Sequence, residues 1–156
     1  MQELIIYPTI EGRERLQDLT DVLKKRFKLN EEAIREQKRF NIKLIEDELR
    51  PSLMIYCSPF GLERVLDNLL DNATKAIPEQ GGELCIKSYR SGDMAAMEVR
   101  NTGKIPPENI EQIRKGEVKG RGLNIIYRFI QSVHGRLEVF TDDDSTTFRI
   151  MIPIHR

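Results

Sequence analysis

The stretch that decides the fold is Ser58-Pro-Phe-Gly-Leu-Glu-Arg-Val-Leu-Asp-Asn-Leu-Leu-Asp-Asn-Ala-Thr-Lys-Ala-Ile-Pro78. It opens with a hydroxyl that can cap free backbone amides, followed by proline at the first helical position, where no N–H is needed. Leu62, Val65, Leu66, Leu69, Leu70, Ala73 and Ile77 then recur every three or four residues, which predicts a helix with one apolar stripe. Pro78 and the Gly81-Gly82 pair stop it. The same face that carries this stripe is flanked by Asn68, Asn72 and Lys75, spaced i, i+4 and i+7.

That polar stripe also fits a solvated helix face. Asn is a poor helix former, however, and two on one face at mid-helix cost stability without structural return. Amide oxygens suit a hard cation, and a lysine supplies positive charge to phosphate oxygens, so the trio suits a Mg²⁺-bound polyphosphate.

Outward from the helix, Arg13 to Lys38 is charged and helical in composition, with Asn30 predicted to cap a second short helix through Ala33 and Ile34. Phe40 to Ile45 and Leu53 to Tyr56 read as strands. Glu83 to Arg90 and Ala95 to Asn101 form a meander around Ser91-Gly92-Asp93. A second strong helix starts near Leu123 and stops at Gly135. Leu137 to Phe140 and Thr146 to Ile154 then close the chain around Asp142-Asp-Asp144. Helices and strands are segregated, not strictly alternating. The expected fold is α+β, a two-layer α/β sandwich whose mixed, mostly antiparallel sheet is packed on one side by helices. The expected division is a helical segment over residues 1–38 followed by one domain over residues 39–156.

Two further segments carry candidate chemistry. Val99-Arg-Asn-Thr-Gly103 ends a strand with Asn101, whose amide can read a base edge, and Gly103, which lets a ligand approach the backbone; it also suits a plain turn. Gly120-Arg121-Gly122-Leu123 leads into a helix N-terminus, where free amides and the dipole favour an anion. Neither a Walker loop nor a G-x-G-x-x-G after a strand is present.

In order, these elements resemble the nucleotide-binding domain of histidine kinases, within the wider superfamily that includes gyrase B, the heat-shock chaperone and MutL (the Bergerat fold). Asn68-Leu-Leu-Asp-Asn72-Ala-Thr-Lys75-Ala76 resembles the asparagine box, and Asn101-Thr-Gly103 with Ile105-Pro-Pro-Glu108 the first glycine box. Gly120-Arg-Gly122-Leu123 resembles the second glycine box, Ser132 to Leu137 the turn after its helix, and Thr146-Thr-Phe148 the final strand. The resemblance runs from about Phe40 to Ile154. It implies ATP as substrate, Asn72 as the Mg²⁺ ligand, and Asn68, Lys75, Gly120, Arg121, Gly122 and Leu123 on the phosphates. It further implies that Asn101, Gly103, Ile105 and Thr146 face the adenine, with Lys104 to Lys119 as a lid. The family usually has Asp where Asn101 stands; the amide still accepts from an exocyclic amine but loses the charge-assisted part, about 1 kcal/mol. The first glycine box lacks its second glycine, and the lid is short, without an aromatic segment.

Hydrolysing branches of the superfamily place Glu four residues before the metal-binding Asn; here that position is Asn68, which takes no proton at neutral pH. Asp67 and Asp71 point roughly 100° and 60° away from it around the helix, so neither is an obvious substitute. Transfer of the γ-phosphoryl group to a protein nucleophile is therefore favoured over hydrolysis. In the family that nucleophile is a histidine on a dimerising hairpin, of which the resemblance implies the helical segment over residues 1–38 is a remnant or a linker. Neither His134 nor His155 has an acceptor context, so the resemblance implies a partner domain carrying the histidine, in the same parent chain or in trans, and a response regulator downstream. The alternatives are an anti-sigma-type serine kinase of the same fold and a non-catalytic nucleotide-binding regulatory module.

Composition agrees with a local rather than global source of anion affinity. Lys and Arg total 25 and Asp and Glu total 25, so the net charge is zero, which argues against nucleic acid as a partner. With 39% hydrophobic residues and no apolar run of membrane length, no membrane insertion is expected. Cys57 and Cys85 stand 28 positions apart in no metal-binding spacing and read as buried thiols. The chain reads as cytoplasmic, its parent protein anchored to a membrane or not, and no signal peptide is expected at its start.

Overall fold

The computed structural model describes residues 13–104 and 121–156. The elements run β1 (Arg15–Asp18), α1 (Leu19–Glu36), β2 (Ile42–Leu49), β3 (Met54–Cys57), α2 (Pro59–Ala76), β4 (Gly82–Ser91), β5 (Met94–Thr102), α3 (Arg121–Ser132), β6 (Arg136–Thr141) and β7 (Ser145–Pro153). Five strands form one sheet in the order β2-β4-β5-β7-β6, and β1 and β3 pair separately. Only β2–β4 is parallel in the larger sheet; β4–β5, β5–β7 and β6–β7 are antiparallel. The two-layer, mostly antiparallel reading holds.

One core joins the layers. Leu62, Val65, Leu66, Leu69, Leu70 and Ala73 of α2 are buried together with Leu84, Ile86, Met97, Val99 and Ile150 of the sheet and Ile126, Phe129 and Ile130 of α3. Leu19, Leu23, Phe27 and Ile34 of α1 belong to that same core. At about 25 cal/mol per Å², each such aliphatic side chain contributes about 1.5–3 kcal/mol on burial. The opposite face of the sheet is polar: Arg149 of β7 bridges Glu138 of β6 at 3.0 Å and Glu98 of β5 at 3.9 Å. An alternation of this kind fixes the register, because a one-residue slip would turn the charges inward.

Three local readings change. The helix does not start at Arg13. Arg15–Asp18 is extended and pairs with β3, and Asp18 then caps α1, its side chain accepting from Thr20 N–H at 3.1 Å. Asn30 caps nothing; it lies inside the unbroken 18-residue α1, its amide donating to Thr74 Oγ1 of α2 at 3.0 Å. And α3 closes on His134, not Gly135. His134 takes the left-handed conformation (φ +57°), His134 N–H donates to Gln131 O at 3.3 Å, and Gly135 N–H donates to Ile130 O at 2.9 Å. That pair of bonds is a Schellman motif. Gly135 is needed for space instead: a Cβ there would stand 2.6 Å from the Met151 carbonyl oxygen.

Candidate functional site

The start of α2 is built as its sequence predicts. Ser58 Oγ accepts from Gly61 N–H at 3.1 Å, with proline next in the chain, and the helix runs without interruption to Ala76. Its apolar stripe turns inward and leaves Asn68 and Asn72 half-buried and Lys75 exposed along one flank. Asn68 Nδ2 donates to the Arg64 carbonyl one turn back at 2.7 Å, which orients the amide with its oxygen away from the helix backbone. Lys75 Nζ lies 2.9 Å from Asp71 Oδ2 in an exposed i,i+4 pair, worth at most about 0.5 kcal/mol and readily exchanged for another anion.

Both carboxylates beside Asn68 are engaged. Asp67 receives Arg26 of α1 in a two-pronged bond, Nε to Oδ1 at 2.8 Å and Nη2 to Oδ2 at 2.6 Å. The hydrogen bond to Asp67 holds the Arg26 guanidinium above its ordinary pKa, and Glu63 adds to it from 3.8 Å. Asp71 holds Lys75.

The second half of the site is the end of β5 beside β7. Asn101 and Thr146 are opposite each other in the ladder and both are buried, at 1% and 0% exposure. Thr146 Oγ1 donates to the Gly103 carbonyl at 2.8 Å, and Gly103 N–H donates to the Asp144 carbonyl at 2.6 Å. Asn101 Nδ2 donates to the Thr102 carbonyl at 2.9 Å, an orientation in which Oδ1 is the amide's acceptor face. Below them, Asp142 Oδ1 accepts from Ser145 Oγ at 2.7 Å and from the amides of Ser145 and Asp144. These bonds, that to Ser145 Oγ first, hold its carboxyl below the usual carboxylate range. The acidic turn is thereby a fixed brace for Gly103.

The two halves approach most closely at Gly103. Gly103 sits at φ +112°, and a Cβ there would lie 2.3 Å from the Ala76 carbonyl oxygen. Only glycine permits that approach, which sets the β5 end against the last residue of α2. Lys75 directly precedes that residue in α2, and Asn72 and Asn68 lie one and two turns back along the same helix. Arg121, Gly122 and Leu123 form the first turn of α3. Ile105 and Gly120 lie outside the described residues, as does the lid expected between Lys104 and Lys119, apart from Lys104 itself. Arg39 is a residue the sequence reading missed. Its guanidinium reaches the α2 C-terminus, and no motif marks it because its partners are backbone carbonyls.

A polyphosphate-bound hard cation fits the donor set of α2, which offers amide oxygens and an ammonium. Among the described residues no group of three or more His, Cys, Asp or Glu gathers as a protein-only cage. No helix among them is long and apolar enough to cross a membrane. Both cysteines are free and buried.

Residues 57–156 match the family model for histidine kinase-, DNA gyrase B- and HSP90-like ATPases. The probable sensor kinase SilS of Salmonella typhimurium is 31% identical over 108 residues, which cover 61% of this chain and 22% of that protein. The adaptive-response sensory kinase SasA of Synechococcus elongatus is 30% identical over 114 residues, 65% of this chain and 30% of that protein. Among solved structures, the catalytic domain of histidine kinase ThkA superposes with a TM-score of 0.79 at 25% identity, covering 91% of this chain and 97% of that one. ThkA in complex with the response regulator protein TrrA gives a TM-score of 0.76 at 26% identity, covering 91% of this chain and 42% of that one. This chain belongs to the histidine kinase-, DNA gyrase B- and HSP90-like ATPase family. Within it, the part it corresponds to is the ATP-binding catalytic domain of sensor histidine kinases. The matched region spans only 22% and 30% of the length of the two curated relatives.

Proposed function

We propose that this domain binds Mg²⁺-ATP between α2 and the β5–β7 ends and passes the γ-phosphoryl group to a histidine on a separate dimerising domain. The observation that carries this reading is the Asn68, Asn72, Lys75 flank, with Asp67 held toward α1 by the two-pronged bond from Arg26. An amide, Asn68, stands one turn before Asn72 and takes no proton from water, which favours transfer to a nucleophile brought from outside.

In this reading Asn72 Oδ1 holds the cation, with Asn68 and Lys75 beside the phosphates. The bound Mg²⁺ supplies charge neutralisation across the phosphate oxygens. Asn101 Oδ1 accepts from the exocyclic amine of adenine, oriented by its own Nδ2 bond to Thr102, while Gly103 and Thr146 shape the floor. Arg121, Gly122 and Leu123, the first turn of α3, present its N-terminus to the phosphates. A histidine nitrogen forms the new P–N bond as the bond from the γ-phosphorus to the β,γ-bridging oxygen breaks, and ADP departs with the electron pair. A response regulator would then take the phosphoryl group, as the ThkA–TrrA complex suggests by analogy.

The test is to mix the chain with a candidate dimerising domain and ATP labelled at the γ-position. Acid-labile label on histidine of the added domain is expected. Acid-stable label on serine would assign the serine-kinase reading instead, and no transfer to any hairpin despite tight nucleotide binding would leave a binding module.

A further inference from the structure

The last turn of α2 carries Lys75 and, one turn back, Asn72, yet it is the turn a helix holds least well. The final carbonyls of a helix have no intrahelical N–H to accept from. Here the Thr74 carbonyl accepts from Ile77 N–H at 3.2 Å, and one side chain from outside reaches that carbonyl together with two in the exit just past Ala76. Arg39, half-buried in the connection between α1 and β2, donates from Nη1 to the Thr74 carbonyl at 3.3 Å and from Nη2 to the carbonyls of Ile77 at 3.2 Å and Pro78 at 3.0 Å. Asn30 donates to Thr74 Oγ1 at 3.0 Å, and that hydroxyl donates to the Leu70 carbonyl at 2.7 Å. Asn41 Nδ2 donates to the Glu79 carbonyl at 2.6 Å. Three side chains of the segment Asn30–Asn41 therefore converge on Thr74–Glu79. The guanidinium also faces the negative end of the helix dipole.

We propose that Arg39 is a positioning residue for the nucleotide site: it stops the last turn of α2 from fraying and so holds Asn72 and Lys75 where the polyphosphate meets them. The proposal rests on the nucleotide reading above. A planar fork is required, because three divergent carbonyls are reached from two nitrogens at once; an ammonium on a flexible stem would reach one or two.

The test compares wild type, Arg39→Ala and Arg39→Lys for affinity toward Mg²⁺-ATP and toward adenosine, which has no phosphates, with melting temperature and amide exchange read on the same samples. Arg39→Ala is expected to weaken Mg²⁺-ATP by about tenfold, the scale of one charge-assisted hydrogen bond, and adenosine by less than about twofold. Arg39→Lys should fall between. Amides of Ala73 to Ile77 should exchange about tenfold faster, ahead of the rest of α2. Equal losses for both ligands, or an unchanged Mg²⁺-ATP affinity, would overturn the proposal and leave Arg39 a stability residue. Should Arg39→Ala not fold, Arg39→Lys decides by the same ratio. A wild-type chain that binds neither ligand refutes the nucleotide reading, while unchanged exchange of the last turn in a variant refutes the clamp itself.

Discussion

Replacing Gly103 by alanine strikes the contact that joins the two halves of the site, and its cost can be worked from the structure. Two terms add. The residue sits at φ +112°, a conformation costing a side-chain-bearing residue roughly 1–3 kcal/mol. The new methyl would also stand 2.3 Å from the Ala76 carbonyl oxygen, so the α2 and β5 ends must part by about 1 Å, an overpacking cost of roughly 1–3 kcal/mol. Together they predict a loss of about 2–6 kcal/mol, or on the order of 5–20 °C in melting temperature at this chain length. Gly92 is the internal control. It has φ +60° and nothing within 4 Å of an added Cβ, so Gly92→Ala carries the conformational term alone, about 1 kcal/mol. Urea and thermal melts followed by circular dichroism measure both. The reasoning is refuted if Gly103→Ala costs no more than Gly92→Ala. The displaced contact should also weaken nucleotide binding in the Gly103 variant and leave it intact in the Gly92 variant.

Other outcomes follow from the same structure. Asn72→Ala should abolish the Mg²⁺-dependent part of ATP affinity while leaving Mg²⁺-free binding in place, measured by calorimetry with and without the ion; undiminished Mg²⁺ dependence would contradict its role. His134→Gly should stabilise the domain by about 1 kcal/mol, since glycine takes the left-handed cap without strain, whereas Gly135→Ala should destabilise it against Met151 O. Burial pushes the Cys57 thiol from 9.0 up to about 12, with Glu14 adding to it, so the folded protein should resist alkylation at pH 8 and react once unfolded in urea. The sign for stability follows. Between pH 9.0 and about 12 the unfolded chain loses this proton while the folded one keeps it, so stability falls as pH rises through that window and is unaffected below it.

Much of the fold was legible because its largest helix speaks twice, in a Ser-Pro opening and in a three-four apolar repeat, and α2 spans 59–76 as that pattern requires. What escaped is what only tertiary contact decides. Nothing in Arg15-Leu-Gln-Asp18 alternates, and it becomes a strand because β3 lies beside it. Asn30 looks like a cap locally; Thr74, 44 residues away, satisfies its amide and lets the helix pass through it. Gly135 looks like the residue for a left-handed stop, but the close carbonyl of Met151 claims it and leaves His134 to bend. At the site, the Asn68, Asn72, Lys75 spacing and the Asn101 to Gly103 strand end were readable, since both are short local patterns. The braces behind them were not. Arg26, Arg39 and Asp142 act on partners that share no spacing with them, and their role appears only when the helix and strand ends are seen to meet.

Nucleotide binding between α2 and the β5–β7 ends underlies every role proposed for the site. Calorimetric titration of this chain with ATP, with and without Mg²⁺, measures it, and saturable binding at sub-millimolar concentration that strengthens with Mg²⁺ is expected. No heat with ATP or ADP in that range, in either condition, would contradict it.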